Sequence, residues 1–512
     1  MAINIKSATN IGINSFIVNV EVDISKGLPG FNIVGLADTS VREAKERVRT
    51  AIVNSGFEFP LGRIVINLAP ADIKKIGTLL DLPIAIGILI ESNQIQKKDL
   101  DKYLIIGELS LNGELKRTRG ITPIIIKGIE EDIENFIIPR ENIDEAIEVS
   151  KGNVYAMTSL KESVDYVNCE DMLPLDFGEY GEYKEEKNVE WENNFNSIIG
   201  QYSSKRAMEI AAAGRHNILL YGNPGSGKTM LAKAFNSILP PLTEEEKIEI
   251  AKIYSICGMI DTYKNIRIPF REPHHTISKV ALVGGGRDIK PGEITLAHNG
   301  VLYLDEILEF KKEVLEVLRI PLEEGVIRVD RINERVEMPS KFQLIASFNP
   351  CPCGKKSIIP GEYDKCECSE SEIRRYQKRL SKPLKDRIDI FNYVPSLKFE
   401  ELKKKNLEDE TKNIKERVLK AREIQKERLK DTSYKFNSDI RGKDIFNLCK
   451  ISREGKEILE NYFKINNPSL RGYGKVIKVA QTIADLELQE VIKREHIIEA
   501  INYRKDVNGE II

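Results

Sequence analysis

Hydrophobic positions in the first third of this 512-residue chain follow two alternating patterns. Short apolar runs of strand length occupy 16–20, 31–35 and 64–68, and longer helical repeats occupy 40–54 and 81–91. Runs of four to eight apolar residues predict strands, whereas apolar residues three or four positions apart predict helices. The alternation of the two patterns therefore predicts a mixed α/β domain.

The pattern changes twice further along the chain. An acidic, glycine-containing stretch without periodicity occupies 176–194 and is typical of a linker. From about residue 396, Lys, Glu, Leu and Ile recur at helical spacing, which predicts an α-helical domain. Because one core rarely serves so long a chain, we expect three domains, at 1–175, 195–395 and 396–512.

Composition limits the partners of the protein. With 41% hydrophobic and 30% charged residues and a net charge of −2, the chain is an ordinary globular protein without overall attraction to nucleic acid. The N-terminus lacks the pattern of a signal peptide, and the most apolar segment, 79–90, is interrupted by Asp81 and Pro83 and is too short to span a bilayer. We expect a cytoplasmic protein without a membrane partner.

A phosphate-binding P-loop is the clearest motif. It lies between an apolar strand pattern at 218–221 and a helical pattern at 230–235, which is the context that a P-loop needs. Lys228 is expected to contact the β- and γ-phosphates of ATP, and the Thr229 hydroxyl to bind Mg²⁺. The loop residues are Gly222, Asn223, Pro224, Gly225, Ser226, Gly227, Lys228 and Thr229.

Two further apolar runs end in polar residues suited to ATP hydrolysis. The run 301–304 ends in Asp305, expected to help hold Mg²⁺, and Glu306, expected to polarise the attacking water. The run 342–348 ends in Asn349, which fits a sensor of the γ-phosphate, although a turn-forming Asn before Pro350 is the alternative.

Two arginines are candidates for completing the catalytic set. Arg387 is a candidate arginine finger for the ATP of a neighbouring subunit, and Arg471 a candidate second sensor from the helical domain. Either arginine taken alone is equally well explained as a surface salt bridge.

Around these residues the chain resembles the magnesium-chelatase-like AAA+ ATPases of the ComM/YifB family. The resemblance implies an AAA+ P-loop core with a helical lid domain, and a homo-oligomeric, hexameric ring with ATP sites between subunits. It also implies an ATP-driven DNA helicase or branch-migration motor in the uptake and integration of transforming DNA. The motifs that carry it lie at 269–278, 282–286, 291–300, 321–323, 349–354 and 482–486.

The chain departs from the family pattern at a few positions. Lys382 and Lys385 stand where the family usually has Gly and Leu, and Lys475 and Gln481 replace usual arginines. Arg387 and Arg471 are kept, so the expectation of ATPase activity stands. The departures put only local contacts in doubt.

Candidate DNA contacts come from the region before the carboxylate strand and from a predicted hairpin after it, which project toward the ring pore in the resembling proteins. They are Arg287, Lys290, Arg328 and Arg331, and a solvated charged face is the alternative for each. The nearby pair His274 and His275 is a weak metal signal.

Four clustered cysteines predict a metal site. Cys351, Cys353, Cys366 and Cys368 form two close pairs that can supply four thiolates to a structural Zn²⁺. Free cytosolic thiols are the alternative, since the spacing within each pair is tighter than the commoner one.

Three stretches of the N-terminal domain, 70–75, 81–85 and 107–115, resemble the Lon-protease-type domain with the ribosomal-S5-like fold. In an alignment with that domain, the positions of the catalytic Ser–Lys dyad fall at Asp81 and near Thr122, and neither residue can replace its dyad counterpart. An ATP-dependent protease is therefore disfavoured, and a chaperone-like motor for a metal-chelatase or other protein partner is the main alternative to the DNA motor.

Overall fold

The structure is a computed structural model. Among the residues it describes, no helix combines the length and apolar character needed to cross a bilayer. The predicted linker 176–194, apart from its last two residues, lies outside this set, as do Arg287 and Arg331. The described residues are 3–96, 100–146, 149, 152–169, 174, 193–260, 266–286, 289–330, 335–356, 366–396, 409–466 and 468–505.

The part before the linker consists of small sheets covered by helices. One sheet has the order β1-β2-β4-β3, with only β3 and β4 parallel, and a second, parallel sheet has the order β5-β8-β9. The strands are β1 (Ile3–Ile11), β2 (Asn14–Ser25), β3 (Gly30–Val34), β4 (Arg63–Ala69), β5 (Tyr103–Ile105), β6 (Glu108–Leu109), β7 (Leu115–Lys116), β8 (Asn135–Pro139) and β9 (Asn153–Met157). The helices are α1 (Thr39–Asn54), α2 (Asp81–Glu91), α3 (Ile121–Glu130), α4 (Ile143–Ala146) and α5 (Leu160–Cys169).

Helix α2 forms the centre of this part because it is apolar on every side. All its residues from Asp81 to Ile90 are buried, as expected for a helix without a polar face. Gly87 lets it approach the first sheet closely, since a Cβ there would lie 2.5 Å from Val22 Cγ2. Helix α1 covers it with one apolar stripe and begins at Asp38, whose carboxylate accepts the Val41 N–H at 2.8 Å.

A five-stranded parallel sheet forms the second part, in the order β11-β14-β17-β10-β18. Its strands, with two small hairpins, are β10 (Ile218–Tyr221), β11 (Phe270–Arg271), β12 (Gly284–Gly285), β13 (Lys290–Pro291), β14 (Val301–Leu304), β15 (Val326–Asp330), β16 (Arg335–Pro339), β17 (Gln343–Phe348) and β18 (Ile390–Tyr393). The helices are α6 (Tyr202–Gly214), α7 (Lys228–Ala234), α8 (Glu244–Cys257), α9 (Lys279–Val283), α10 (Glu293–Leu296), α11 (Lys312–Glu316), α12 (Arg319–Glu324), α13 (Glu370–Gln377) and α14 (Lys382–Lys385).

The central strands of this sheet position the site. Strands β10, β14 and β17 are buried along their whole length, as near-continuous apolar runs in a parallel sheet should be. Because they run in the same direction, the residues that follow them meet at one edge, where ligands bind in open α/β sheets. The P-loop, Asp305 and Asn349 are those residues.

The third part is helical and shares a hydrophobic core with the sheet. Helix α18 is its buried centre and packs against its neighbours in the helical part and against α6 of the sheet part. Arg428 forms an ion pair with the buried Asp485 at 2.6 Å. The helices are α15 (Glu410–Leu429), α16 (Asp444–Leu448), α17 (Arg453–Asn466), α18 (Leu470–Leu486) and α19 (Arg494–Asn502).

Candidate nucleotide-binding site

The P-loop connects β10 to α7 as a tight turn. Gly225 and Gly227 have φ values of 75° and 95°, a left-handed conformation that glycine adopts without steric cost. The Lys228 side chain folds back over this turn, and its residue is only 8% exposed. The predicted strand, loop and helix are thus present in the order that phosphate binding requires.

Lys228 connects the loop to the sensor position. Its Nζ donates to the carbonyl oxygens of Gly222 at 2.8 Å and Asn223 at 3.0 Å, and to Asn349 Oδ1 at 3.2 Å. Burial lowers the pKa of Lys228, and the opposing charges of Asp305 and Glu306 raise it only in part. The ammonium group therefore lies between the loop and Asn349, where it can reach a bound phosphate.

The two expected Mg²⁺ ligands are also brought together. Thr229 Oγ1 donates to Asp305 Oδ2 at 3.1 Å, and Asp305 Oδ1 accepts the Glu306 N–H at 3.1 Å and the Ser347 hydroxyl. Burial raises the pKa of Asp305, but its hydrogen bonds outweigh burial and leave that pKa below its usual value. Asp305 is therefore an ionised carboxylate, which together with the Thr229 hydroxyl suits a hard cation.

Ser347 is a site residue that the sequence reasoning missed. Strands β14 and β17 pair in parallel with Leu304 opposite Ala346, so the next residues, Asp305 and Ser347, are neighbours. Ser347 Oγ also lies 3.3 Å from the hydroxyl of Tyr303. The available signal was a lone hydroxyl near the end of an otherwise apolar strand.

Glu306 is exposed beside Asp305. Its φ of 50° and ψ of 48° place the backbone in the left-handed region, which is uncommon for a residue with a side chain. Glu306 therefore lies next to the expected Mg²⁺ ligand, as its expected role of polarising the attacking water requires.

Arg387 and Arg471 lie together at another place. Arg387 donates to the carbonyl oxygens of Arg319 at 2.9 Å and Pro383 at 2.7 Å, and to the carboxylate of Glu323. Arg471 Nη2 donates to the other oxygen of Glu323 at 2.9 Å. All three residues line a cavity of about 710 Å³ between the sheet and the helical part.

This cavity is separate from the P-loop of the same chain. Its described lining includes residues near 321–325, 386–389, 433–442 and 471–478, and contains none of residues 222–229. Arg441, which the sequence reasoning also missed, donates to the backbone carbonyl of Glu323. The two predicted catalytic arginines therefore belong to a different surface from Lys228.

Two of the departures from the family pattern, Lys475 and Gln481, form internal contacts. Lys475 Nζ is buried 3.0 Å from Asp389 Oδ1 and donates to the Ile388 carbonyl at 2.9 Å. Burial lowers the pKa of Lys475 to about 8, although Asp389 opposes the shift. Gln481 donates to Asp485 at 3.0 Å, so both departures serve packing of the helical part.

The four cysteines form one cluster. Their sulfur atoms all lie within 4.8 Å of one another, and the sulfurs of Cys351, Cys353 and Cys366 are 3.3 to 3.6 Å apart. Four convergent thiols match the ligand set of a structural Zn²⁺.

The described candidates for DNA contact are Lys290 and Arg328. Lys290 is exposed on β13, whereas Arg328 on β15 pairs with Glu324 and, at 2.8 Å, with Glu337. His274 and His275 stack with ring centroids 4.1 Å apart, and His274 bonds to Thr276.

The two residues at the protease-dyad positions have separate partners. Asp81 is buried and accepts two hydrogen bonds from Arg47, at 2.9 and 3.0 Å. Burial raises the pKa of Asp81 to about 6, against the effect of Arg47. The Thr122 hydroxyl donates to the backbone carbonyl and to the carboxylate of Glu145. Asp81 and Thr122 are thus each engaged in a local polar contact.

Comparison with known families covers most of the chain. Residues 194–402 match the family model described as magnesium chelatase, subunit ChlI. Residues 20–142 match the model for subunit ChlI of Mg-chelatase, and residues 408–504 match the model for the C-terminal part of subunit ChlI.

Individual relatives agree with these models. The competence protein ComM of Haemophilus influenzae is 41% identical over 504 residues, which cover 97% of this chain and 96% of the relative. The protein YifB of Escherichia coli is 39% identical over 496 residues, which cover 96% and 95%. The magnesium-chelatase 67 kDa subunit of Heliobacterium mobile is 25% identical over 238 residues, covering 38% of this chain and 35% of the relative.

Full-length identity and the assembled P-loop site together identify the family. The AAA+ core implies an ATPase that uses ATP and Mg²⁺. The chain belongs to the ComM/YifB family of magnesium-chelatase-like AAA+ ATPases.

Proposed function

We propose that this protein is a ring-forming ATPase motor that acts on branched or single-stranded DNA in the cytoplasm. The observation that carries the proposal is the division of the catalytic groups between two surfaces. Lys228, Thr229 and Asp305 meet at the sheet edge, whereas Arg387 and Arg471 meet at the cavity around Glu323. An arginine that completes the ATP site of a neighbour explains this division, and it couples hydrolysis in one subunit to the position of the next.

Support for DNA as the substrate comes from a relative and from the hairpin. The Haemophilus influenzae relative is named a competence protein, and competence is the ability of bacteria to take up DNA. In this chain the β15–β16 hairpin carries Arg328 on β15, and Arg331 follows that strand in the sequence. With a net charge of −2, binding must rest on such local cations and weaken steeply as salt rises.

The resemblance to Lon-type domains gives the N-terminal part a role without peptide cleavage. We infer a Lon-like fold that builds the ring or contacts DNA. Asp81 is held by Arg47, and a carboxylate in that position cannot serve as the nucleophile of a Ser–Lys dyad.

A chaperone-like motor for a metal chelatase is the second candidate, favoured by the family models over 20–142 and 194–402. The two candidates differ in what stimulates ATP hydrolysis. DNA should stimulate a DNA motor, whereas a chelatase partner protein should stimulate a chaperone-like one.

The deciding experiment is unwinding of a labelled four-way DNA junction by the assembled ring with ATP. We expect unwinding and DNA-stimulated ATPase activity. The double variant Arg328→Ala/Arg331→Ala should weaken DNA binding while basal ATPase stays unchanged. The charge-matched control is Arg453→Ala/Lys456→Ala, which removes two exposed cations from α17. Wild-type protein that neither unwinds DNA nor responds to it would exclude the proposal.

We also propose that the cysteine cluster holds one structural Zn²⁺ per chain. The four sulfurs converge within 4.8 Å of one another, and thiolates are the ligands that structural zinc favours. Metal analysis of untagged protein purified under reducing, chelator-free conditions should give about one zinc per chain. Zinc-free protein under those conditions would favour ordinary free thiols.

A further inference from the structure

The cysteine cluster lies next to the nucleotide site along the chain and in space. Cys351 follows the sensor Asn349 by two residues and is fully buried. The intervening Pro350 is held by Gln377, whose side chain donates to its carbonyl at 2.9 Å. The sensor strand therefore leads directly into the cluster.

A second connection runs through a P-loop side chain. With its amide nitrogen turned toward the available acceptors, Asn223 donates to the carbonyl oxygens of Gly354 and Lys356, both at 3.1 Å. The backbone N–H of Lys356 in turn donates to Cys351 Sγ at 3.4 Å. Residues 351–356, which begin at Cys351, are called the cysteine loop here. Lys356 of this loop thus contacts both a cluster sulfur and the P-loop.

The next P-loop residue packs directly on the cysteine loop. Gly354 has a φ of 73°, and a Cβ built on it would lie 2.6 Å from Pro224 Cγ. No side chain fits between them, so Pro224 rests on the backbone of the cysteine loop. Movement of this loop must therefore be transmitted to the P-loop turn.

We propose that metal occupancy of the four-cysteine cluster controls the affinity of the P-loop for nucleotide, with Asn223 as the connecting residue. This inference rests on the proposed zinc site and extends it. Zinc held by all four thiolates fixes the cysteine loop. In this fixed loop the carbonyl groups of Gly354 and Lys356 accept from Asn223, and the backbone of Gly354 packs against Pro224. Without the metal no common centre joins the four sulfurs, the loop loosens, and the P-loop loses these contacts.

Linkage makes the effect reciprocal. If zinc raises the affinity for nucleotide, nucleotide must raise the affinity for zinc by the same factor. Loss of two hydrogen bonds and one packing contact should change the affinity by about tenfold, within the usual range of such coupling.

The first measurement is the dissociation constant of a fluorescent ADP analogue with Mg²⁺. We expect about tenfold weaker binding to Cys353→Ser/Cys368→Ser than to wild type, in line with typical coupling. Cys257→Ser is the matched control, because its thiol lies on α8, which packs against α3 of the N-terminal part, and its binding should equal wild type. In an Asn223→Ala background, the same cysteine substitutions should cause little further loss.

The second measurement uses the intact chain, so that a folding defect in the double variant cannot decide the question. Zinc transfer from wild-type protein to a colorimetric chelator should slow when ADP is present. The slowing should disappear in Asn223→Ala, which keeps all four thiols.

Two results would count against the inference in different ways. Protein that binds nucleotide and contains no zinc removes the metal site and the coupling together. Zinc-loaded protein whose nucleotide affinity and zinc release are independent of each other overturns the coupling and leaves the metal site. Neither result touches the DNA-motor proposal, which fails only in the junction assay.

Discussion

The P-loop edge of the sheet and the cavity around Glu323 both concentrate charged side chains, but they hold them differently. Lys228 is held by neutral acceptors, two backbone carbonyls and the Asn349 amide. Arg387 and Arg471 are held by one carboxylate, that of Glu323. In the first arrangement the positive charge has no carboxylate directly hydrogen-bonded to it, whereas in the second both positive charges are already in an ion pair.

This difference separates binding from hydrolysis. A nucleotide phosphate displaces only carbonyl and amide contacts when it meets Lys228, so binding breaks no ion pair. Before either arginine can stabilise the charge of a transferring phosphoryl group, it must exchange a carboxylate partner for a phosphate. We infer that nucleotide binds readily to a single subunit, whereas turnover waits for a neighbour to approach the cavity.

The largest expected effect is at the P-loop itself. Lys228→Ala should abolish nucleotide binding, because the buried ammonium group is the main positive charge at the P-loop. Titration with a fluorescent ATP analogue checks this, and Lys233→Ala on the same helix α7 is the control, because the half-buried Lys233 pairs with Glu272 instead of the P-loop. Retained affinity in Lys228→Ala would place the nucleotide elsewhere.

The next effect concerns the arginine surface. Arg387→Ala should lower turnover by at least about 10³-fold, as loss of an arginine finger does, with nucleotide affinity nearly unchanged. Excess Arg387→Ala subunits mixed with wild type should inhibit more than dilution predicts, since each leaves its neighbour's site incomplete. Proportional loss of activity in rings shown to mix would mean that Arg387 acts within its own subunit.

Glu306→Gln should slow hydrolysis by about 10²-fold or more, the usual contribution of a general base, and leave ATP binding intact. The amide keeps the shape of the side chain but polarises water poorly. Single-turnover hydrolysis alongside binding separates the two steps. Near-normal turnover would remove Glu306 from the catalytic role.

The smallest effect tests the ion pair itself. Glu323→Gln should lower kcat several-fold with KM unchanged, because Arg387 and Arg471 lose their shared anchor and only their orientation suffers. Glu324→Gln is the matched control, since Glu324 pairs with Arg328 of the hairpin. Equal losses in the two variants would show that Glu323 serves only the local fold.

Sequence patterns predicted the parts of the site that depend on short stretches of chain. The P-loop spans eight consecutive residues, and Asp305 and Asn349 each follow an apolar run, so local spacing and the geometry of a parallel sheet place them together. Arg387 and Arg471 were candidates for which a surface salt bridge was an equal alternative, and the family resemblance supported the catalytic interpretation.

The contacts that escaped prediction join residues far apart in the chain. Ser347 reaches Asp305 only because of the register of β14 and β17. Glu323 meets Arg471 across 148 positions of sequence, and Asn223 meets Lys356 only through the packing of the cysteine loop. Register and packing are set by the whole core, so no window of sequence contains them.

The left-handed backbone of Glu306 has a consequence for evolution and engineering. Glycine is the residue that suits φ = 50°, and a residue with a side chain costs about 1 kcal/mol or more there. Glu306→Gly should therefore melt at a higher temperature than wild type while hydrolysing ATP poorly. A screen for thermostable variants alone would therefore select against this carboxylate.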